Sequence, residues 1–342
     1  MLKKGFISGT AVILLLIFIS GILACYAVGI GPAGIGGLEA FQALCNHFVP
    51  NTFDVSAMTH TVVVNIRAPR IIMANLSGFG LGICGYAMQS VLKNPLASPY
   101  TLGLSAAAGF GAALAIVLGI GLLSSQYLIV GNAFVFSLLA SILVLGFASG
   151  RNARPEAVIL SGVAVMFLFS AGITLLQFIA DPYAVQAVVF WLIGDVGRAS
   201  WDKILIMVLV ICLVTPFLLF KSWDIGILRL GDETAESLGV RVSLTRMGVM
   251  AACSLLTASV VAFVGAIGFI GLVAPHMVKL AGRGSELFRL LASGMVGAIL
   301  LASSDMVALT VLAPNILPIG VVTSFLGVPL FMFLIKRGKQ PK

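Results

Sequence analysis

Few side chains in this sequence could take part in acid–base or metal chemistry, because the charged residues stand almost entirely between long apolar runs. Inside those runs only Asp305 and His276 carry an ionisable carboxylate or imidazole, and both could lie near helix ends. Catalysis by proton transfer needs an acid and a base within hydrogen-bond reach of the reacting group. No such pair is visible, so the sequence does not predict a membrane enzyme.

One polar segment, 31–62, holds residue types that bind metal ions. They are Cys45, His47, Asp54 and His60. Metal sites bring their ligands together at short, regular spacings, which these residues lack. We interpret the segment as a solvated loop, and the five scattered cysteines as packing residues rather than a disulfide framework.

The scarcity of ionisable residues also bears on how a transporter of this kind would be powered. Proton- and sodium-driven carriers keep carboxylates or histidines within the bilayer, where the coupling ion binds. The chain has no GxxxxGK[ST] motif, so it cannot hold the phosphates of ATP itself. We expect a separate ATPase chain; the alternative is an ion-coupled secondary carrier or channel that works without one.

If an ATPase binds, the largest predicted cytoplasmic loop, about 221–246, offers a docking surface. Its stretch GDETAESLGV predicts a short helix that starts with Asp232 as its cap and stops at Gly239. Ala235 and Leu238 lie three residues apart, so we expect them to share a small apolar face. A solvated connector is the other interpretation of this loop.

Arg67 and Arg70 stand at the start of a glycine-rich apolar run. Their spacing places them on one face of a helix, unless Pro69 starts the helix, in which case Arg67 lies just before it. One interpretation is that they only anchor the end of a span by reaching towards the membrane surface. The other is that they bind carboxylates of an extracellular partner, because guanidinium pairs with carboxylate in a bidentate manner.

Long apolar segments must position all of these residues. The chain has 342 residues, of which 60% are hydrophobic and 9% charged, whereas soluble domains carry about 25% charged residues. Runs of about 20 apolar residues cross a bilayer as helices. We therefore predict an all-α polytopic membrane protein with one transmembrane domain over residues 1–342. The ten predicted spans are 7–30, 64–92, 100–122, 128–149, 157–180, 202–220, 247–265, 268–280, 287–310 and 319–335.

The charge distribution orients these helices. With both termini in the cytoplasm, sixteen of the twenty Lys and Arg residues lie on the cytoplasmic side, including the loop 151–156 and the tail after residue 335. This skew is what the positive-inside rule expects. The net charge of +8 therefore indicates membrane orientation and not nucleic-acid binding.

Several segments together resemble the FecCD-type permease family, which imports iron–siderophores, haem and vitamin B12 within binding-protein-dependent ABC transporters. They are RAPR with the glycine-rich run after it, GYAMQSVLKNPLASPYTLGLSAAAG, GDETAESLGV, VVAFVGAIGFIGLVAPHMVKLAGR and ILPIGVVTSFLGVPLFMFLI. They follow the family's order over almost the whole chain. The resemblance implies a ten-helix subunit like the vitamin B12 permease, of the type II ABC importer class, in the plasma membrane of a prokaryote.

The resemblance also implies partners and roles. A second copy would form a homodimer, two cytoplasmic ATPase subunits would attach, and an extracytoplasmic substrate-binding protein would deliver the ligand. The chain itself would bind no cofactor, because ATP and Mg²⁺ belong to the ATPase. The ATPase-coupling residues would be Glu233, Ala235, Leu238 and Gly239. The residues that dock the binding protein would be Arg67 and Arg70. For an importer of this kind we expect a translocation path lined first by Met88, Gln89, Ser98 and Pro99.

Two positions depart from the family pattern. The vitamin B12 permease has an arginine where this chain has Leu309, four residues after Asp305, and a glutamate common in the family is replaced by Ile316. We therefore expect docking with fewer charges or with a different partner. The ligand stays open among siderophore, haem, corrinoid and oxyanion.

Overall fold

A computed structural model describes residues 2–31, 34–50, 52–121, 123, 127–148, 154–281 and 284–338. Within these ranges the chain is helical and has no β-strand. The α-helices are α1 (Leu2–Val28), α2 (Gly37–Phe48), α3 (Ala57–Val62), α4 (Ala68–Val91), α5 (Leu104–Leu118), α6 (Leu128–Ala148), α7 (Pro155–Ile179), α8 (Pro182–Leu192), α9 (Trp201–Phe220), α10 (Ser222–Leu228), α11 (Asp232–Ser237), α12 (Val242–Val264), α13 (Ile270–Ala281), α14 (Glu286–Thr310) and α15 (Ile319–Gly338). The predicted all-α class is confirmed.

Seven segments of the described chain are long and apolar enough to cross a bilayer. They are Gly9–Val28, Ala57–Val91, Leu128–Ala148, Pro155–Ile179, Trp201–Phe220, Val242–Val264 and Glu286–Thr310. The other three predicted spans form α5, α13 and α15, whose apolar parts are shorter. The chain is thus a multi-pass membrane protein, and the predicted number of ten spans is approximate.

The polar segment 31–62 is more ordered than predicted. It contains α2 and α3 rather than a loop. Ser56 caps α3 because its Oγ accepts a hydrogen bond from the Thr59 backbone N–H at 3.0 Å. A π-helical turn, Val63–Arg67, then joins α3 directly to α4.

The third predicted span also starts later than expected. Residues 98–101 form a turn in which the Ser98 N–H donates to Thr101 Oγ1 at 3.0 Å, and α5 begins only at Leu104. Side-chain hydroxyls that bond the local backbone compete with helix formation in this way. Residues 151–153 of the predicted basic loop lie outside the described residues, and so do residues 339–342 of the basic tail.

The helix α4 is the centre of the fold. Of the membrane window within Ala57–Val91, 78% is buried, whereas the corresponding share for Trp201–Phe220 is 22%. The first segment is therefore enclosed by protein, and the second faces lipid over most of its surface.

The helices α4 and α14 approach each other so closely that their backbones touch. A Cβ atom added at Gly78 would overlap the carbonyl oxygen of Gly297, and one added at Gly82 would overlap that of Ser293. Close contact between small residues is a main source of helix association in lipid. The small-residue run of α4 thus accommodates α14, and its Gly85 makes a similar contact with Gly271 on α13.

This packing predicts that Gly82→Ala lowers the stability of the purified protein by about 1–3 kcal/mol, because overpacking displaces backbone and not a flexible side chain. Thermal unfolding in detergent checks the result. The control is Gly21→Ala in α1, where an added Cβ has no heavy atom within 4 Å. Equal melting temperatures for the two variants would contradict the close α4–α14 contact.

Candidate functional site

A cavity of about 490 Å³ lies beside the turn that follows α4. Its lining residues are Ser98, Tyr100, Thr101, Leu192, Ile193, Ala266, Gly268, Phe269, Leu272, Gly320, Val321, Ser324 and Phe325. This lining is apolar with a few hydroxyl groups, and none of its members carries a charge. An apolar cavity with few polar groups is typical of a site for a small ligand.

The predicted path residues divide into two pairs. Ser98 lines the cavity, and Pro99 lines a narrow crevice that adjoins it. Met88 and Gln89 are buried within α4 and belong to neither lining. The Gln89 side chain instead donates to the Leu272 carbonyl at 3.3 Å and accepts from Lys279 Nζ at 2.8 Å. A role of these four residues in translocation stays a prediction.

The sequence analysis missed Phe269 and Ser324 as lining residues. Phe269 has a φ of +65°, which is rare for a residue with a side chain. It lies in the break between α12 and α13, where the glycines of GAIGFIG signal irregular backbone. The break could have been predicted from these glycines, but its position beside residues 98–101 could not.

Both predicted docking arginines are buried. Arg67 Nη1 donates to the Val28 carbonyl at 2.8 Å. Arg70 forms a bidentate pair with Asp305, with Nε at 3.0 Å from Oδ2 and Nη2 at 2.8 Å from Oδ1. The two arginines therefore contact different partners, and their role in docking a binding protein stays a prediction.

Asp305 is the residue that the sequence analysis did not connect to Arg70. It is buried on α14 and lies 235 positions further along the chain. A single carboxylate within a membrane helix almost always has a partner, so its presence signalled a pair. Its distance in sequence hid which arginine that partner is.

A smaller cavity of about 180 Å³ lies next to this ion pair. Arg70, Asp195 and Arg198 contribute its polar lining, and Ile316 lies on its wall. Arg198 Nη2 donates to the Phe190 carbonyl at 2.9 Å. Ile316, one of the two departures from the family pattern, therefore lies beside charged groups, while Leu309 is buried on α14.

The predicted coupling helix is α11, but Asp232 does not cap it. Gly231 is the N-cap with a φ of +132°, and Asp232 is the first helical residue. Its carboxylate accepts hydrogen bonds from Arg246 Nη2 at 2.8 Å and Lys93 Nζ at 3.1 Å. Partial burial acts to raise the pKa of Asp232, but these two cations lower it overall.

The predicted apolar face of α11 is also wrong in part. Ala235 is buried, while the Leu238 side chain is 61% exposed, so the two residues point in different directions. The predicted stop at Gly239 is confirmed, because its φ is +83° and its N–H donates to the Glu236 carbonyl at 2.9 Å. The exposed surface of α11 is formed by Glu233, Thr234, Glu236 and Ser237, and Leu238, directly after the helix, is exposed as well.

The buried ion pair predicts that Asp305→Asn lowers stability by about 3–5 kcal/mol, because the charge of Arg70 remains buried without its partner. Chemical unfolding in mixed micelles measures the change. Arg70→Gln combined with Asp305→Asn should recover part of the loss, since no unpaired charge remains.

The control for this series is Asp224→Asn, which removes a partly exposed pair with Lys221 and should cost less than about 1 kcal/mol. If Asp305→Asn and Asp224→Asn are equally stable, Asp305 does not neutralise a buried arginine.

Comparisons over the whole chain agree with this arrangement. The model of the FecCD transport family matches residues 13–337. A protein of Methanocaldococcus jannaschii named as an ABC transporter permease is 40% identical, covering 98% of this chain and 95% of that protein. The hemin transport system permease protein of Yersinia pestis is 32% identical, covering 92% of this chain and 93% of that protein.

A solved structure is similar over the same extent. An inward-facing ABC transporter of the metal-chelate type aligns with a TM-score of 0.83 at 28% identity, covering 96% of this chain and 99% of that chain. Sequence and structure thus agree from the first span to the last helix. The chain belongs to the FecCD transport family and is a permease subunit of an ABC importer, not an enzyme.

Proposed function

We propose that this permease moves an iron–siderophore, haem or corrinoid-type ligand into the cytoplasm, powered by a separate ATPase and fed by a substrate-binding protein. The observation that carries the proposal is α11, a short helix that is buried at Ala235 and exposed at Glu233 and Glu236, with Leu238 exposed directly after it. Such a helix presents a defined surface to another protein. Since the chain has no ATP-binding loop, an ATPase is the partner that this surface fits.

The ligand class follows from the uncharged cavity and from the names of relatives. A cavity of about 490 Å³ with hydroxyl and apolar lining would contact a ligand without meeting it with full charges. Two of the three proteins reported above are named for hemin and metal-chelate transport. The permease would bind the ligand weakly and leave selection to the binding protein.

A homodimer would complete the path. The exposed face of α15 contains Phe325, Leu326 and Val328, and Phe325 also lines the cavity. A second copy packed on this face would cover both the apolar surface and the open side of the cavity. The chain would need no cofactor of its own, since ATP and Mg²⁺ bind the ATPase.

The charge skew supports a plasma-membrane orientation with both termini in the cytoplasm. In that orientation α11 faces the ATPase, and Arg67 and Arg70 lie at the side from which the binding protein delivers its ligand. An ion-coupled carrier is less well supported, because Asp305, the buried carboxylate among the described residues of the spans, is already paired with Arg70.

The proposed function predicts that proteoliposomes containing the permease and its ATPase take up ligand only with ATP and the binding protein. Glu233→Lys, which reverses an exposed charge on α11, should weaken ATPase binding while the permease stays folded. Uptake without ATP or without the ATPase would instead support a secondary carrier.

A second prediction tests the docking arginines. Arg67→Glu should weaken binding-protein affinity for permease in lipid nanodiscs by on the order of tenfold or more, because it removes one partner of a charged contact. Arg67 suits this test better than Arg70, because loss of Arg70 would also leave the buried Asp305 without its counter-charge. ATPase binding is the control, and unchanged docking at low salt would leave Arg67 as a membrane anchor.

A further inference from the structure

The helix α11 is joined to the end of α4 through one carboxylate oxygen. Asp232 Oδ1 lies 2.8 Å from Arg246 Nη2 and 3.1 Å from Lys93 Nζ. Arg246 also donates from Nε to the carbonyl oxygen of Val91, the last residue of α4, at 3.0 Å. We call Asp232, Lys93 and Arg246 the Asp232 anchor.

The backbone at Lys93 shows that this connection has a conformational cost. α4 ends in a Schellman motif, in which the Asn94 N–H donates to the Gln89 carbonyl at 3.2 Å and the Lys93 N–H donates to the Ser90 carbonyl at 3.3 Å. The central position of this motif is usually glycine, because it is left-handed. Lys93 occupies it with a φ of +49°, which costs a residue with a side chain about 1–2 kcal/mol. The lysine side chain, rather than the backbone, explains the choice of residue here.

A second connection reaches α4 from the residues just before α11. Arg229, just before the helix, donates from Nη1 to Tyr86 Oη on α4 at 3.0 Å and to Glu286 Oε1 on α14 at 2.7 Å. Tyr86 lies in the last two turns of α4, and Lys93 is the second residue after the helix ends. The stretch that leads into α11 is therefore fastened to the same part of α4 at two points, Arg229 and Asp232.

The residues after α4 lead straight to the large cavity. Asn94 Oδ1 accepts from the Leu96 N–H at 2.8 Å, and the Ala97 N–H donates to the Asn94 carbonyl at 3.1 Å. Ser98 and Thr101 close the next turn and both line the cavity. These hydrogen bonds make the segment 94–101 a compact unit, so a displacement of Lys93 would move its cavity wall.

We propose that the Asp232 anchor positions α11 against the end of α4, so that movement of α11 by the ATPase displaces the segment 94–101 and changes the cavity. The inference rests on the proposed function, since it requires an ATPase at α11. Asp232, Lys93 and Arg246 touch neither ligand nor nucleotide in this scheme; they are positioning residues. The alternative is that the anchor only stabilises the fold.

Stability separates these two possibilities. The Lys93 and Asp232 side chains are each about one-third exposed, and pairs of this kind contribute no more than about 1 kcal/mol to stability. Lys93→Gly removes the cation but gives the left-handed position the residue that it favours. This variant should melt at the same or a higher temperature than the original chain.

The experiment measures ligand transported per ATP hydrolysed in proteoliposomes that contain the permease, its ATPase and its binding protein. Lys93→Gly and Asp232→Asn should each lower this ratio by at least about fivefold, the lower range of coupling between distant sites. Asp232→Glu should retain most of it, because a carboxylate remains. Asp224→Asn removes the same charge from α10, away from the anchor, and should leave the ratio unchanged.

An environment-sensitive probe at Leu96 supplies a readout that a purely structural role would not alter. Leu96 is exposed, and the more accessible cysteines Cys25, Cys45 and Cys212 are replaced by serine to direct labelling. ATP should change the fluorescence in the original chain but not in Lys93→Gly, although ATPase binding is retained.

Two negative results have different meanings. If the original chain transports without ATP, the proposed function fails and the inference fails with it. If the original chain is coupled to ATP, and Lys93→Gly and Asp232→Asn keep the full ratio and the full fluorescence change, only the inference is overturned.

Discussion

The contact on which this fold depends is the approach of two backbones, α4 and α14, in an environment where lipid surrounds the protein. Gly78, Gly82 and Gly297 have no side chain, and a larger residue at any of these positions would hold the helices apart. In lipid, apolar side chains gain little by leaving the solvent, so close packing and polar contacts must bring helices together. The pair from Arg70 to Asp305 adds a polar contact between the same two helices. A glycine seam and an ion pair therefore fix one interface by different forces.

Once α4 is fixed against α14, its two ends can serve different parts of the molecule. Buried Arg70 lies in its first turn, and its last turns contact α13 and the residues just before α11. The cavity lies just beyond, against residues that follow α4 in the chain. A rigid central helix is suited to this arrangement, since a flexible one would absorb a displacement instead of passing it on.

Much of the helical content could be predicted from the sequence, because long apolar runs between charged segments have few alternatives in a bilayer. The site was harder to predict. Asp232 suits a helix cap and an ion pair equally well, and only the positions of Lys93 and Arg246 decide between them. Asp305 likewise suggests an ion pair, and its distance in sequence from Arg70 hides which arginine completes it. In each case the local pattern was informative, and the missing information was which distant element packs against it.

The π-helical turn at Val63–Arg67 has a consequence for helical phase. Its hydrogen bond from the Ala68 N–H to the Val63 carbonyl spans one residue more than an α-helical bond does. One extra residue rotates everything before it by about 100° relative to everything after it. The face that α3 presents is thus set independently of the glycine seam on α4. Sequence changes in α3 and the π-helical turn can therefore redirect α3 and Arg67 while the central packing keeps its register.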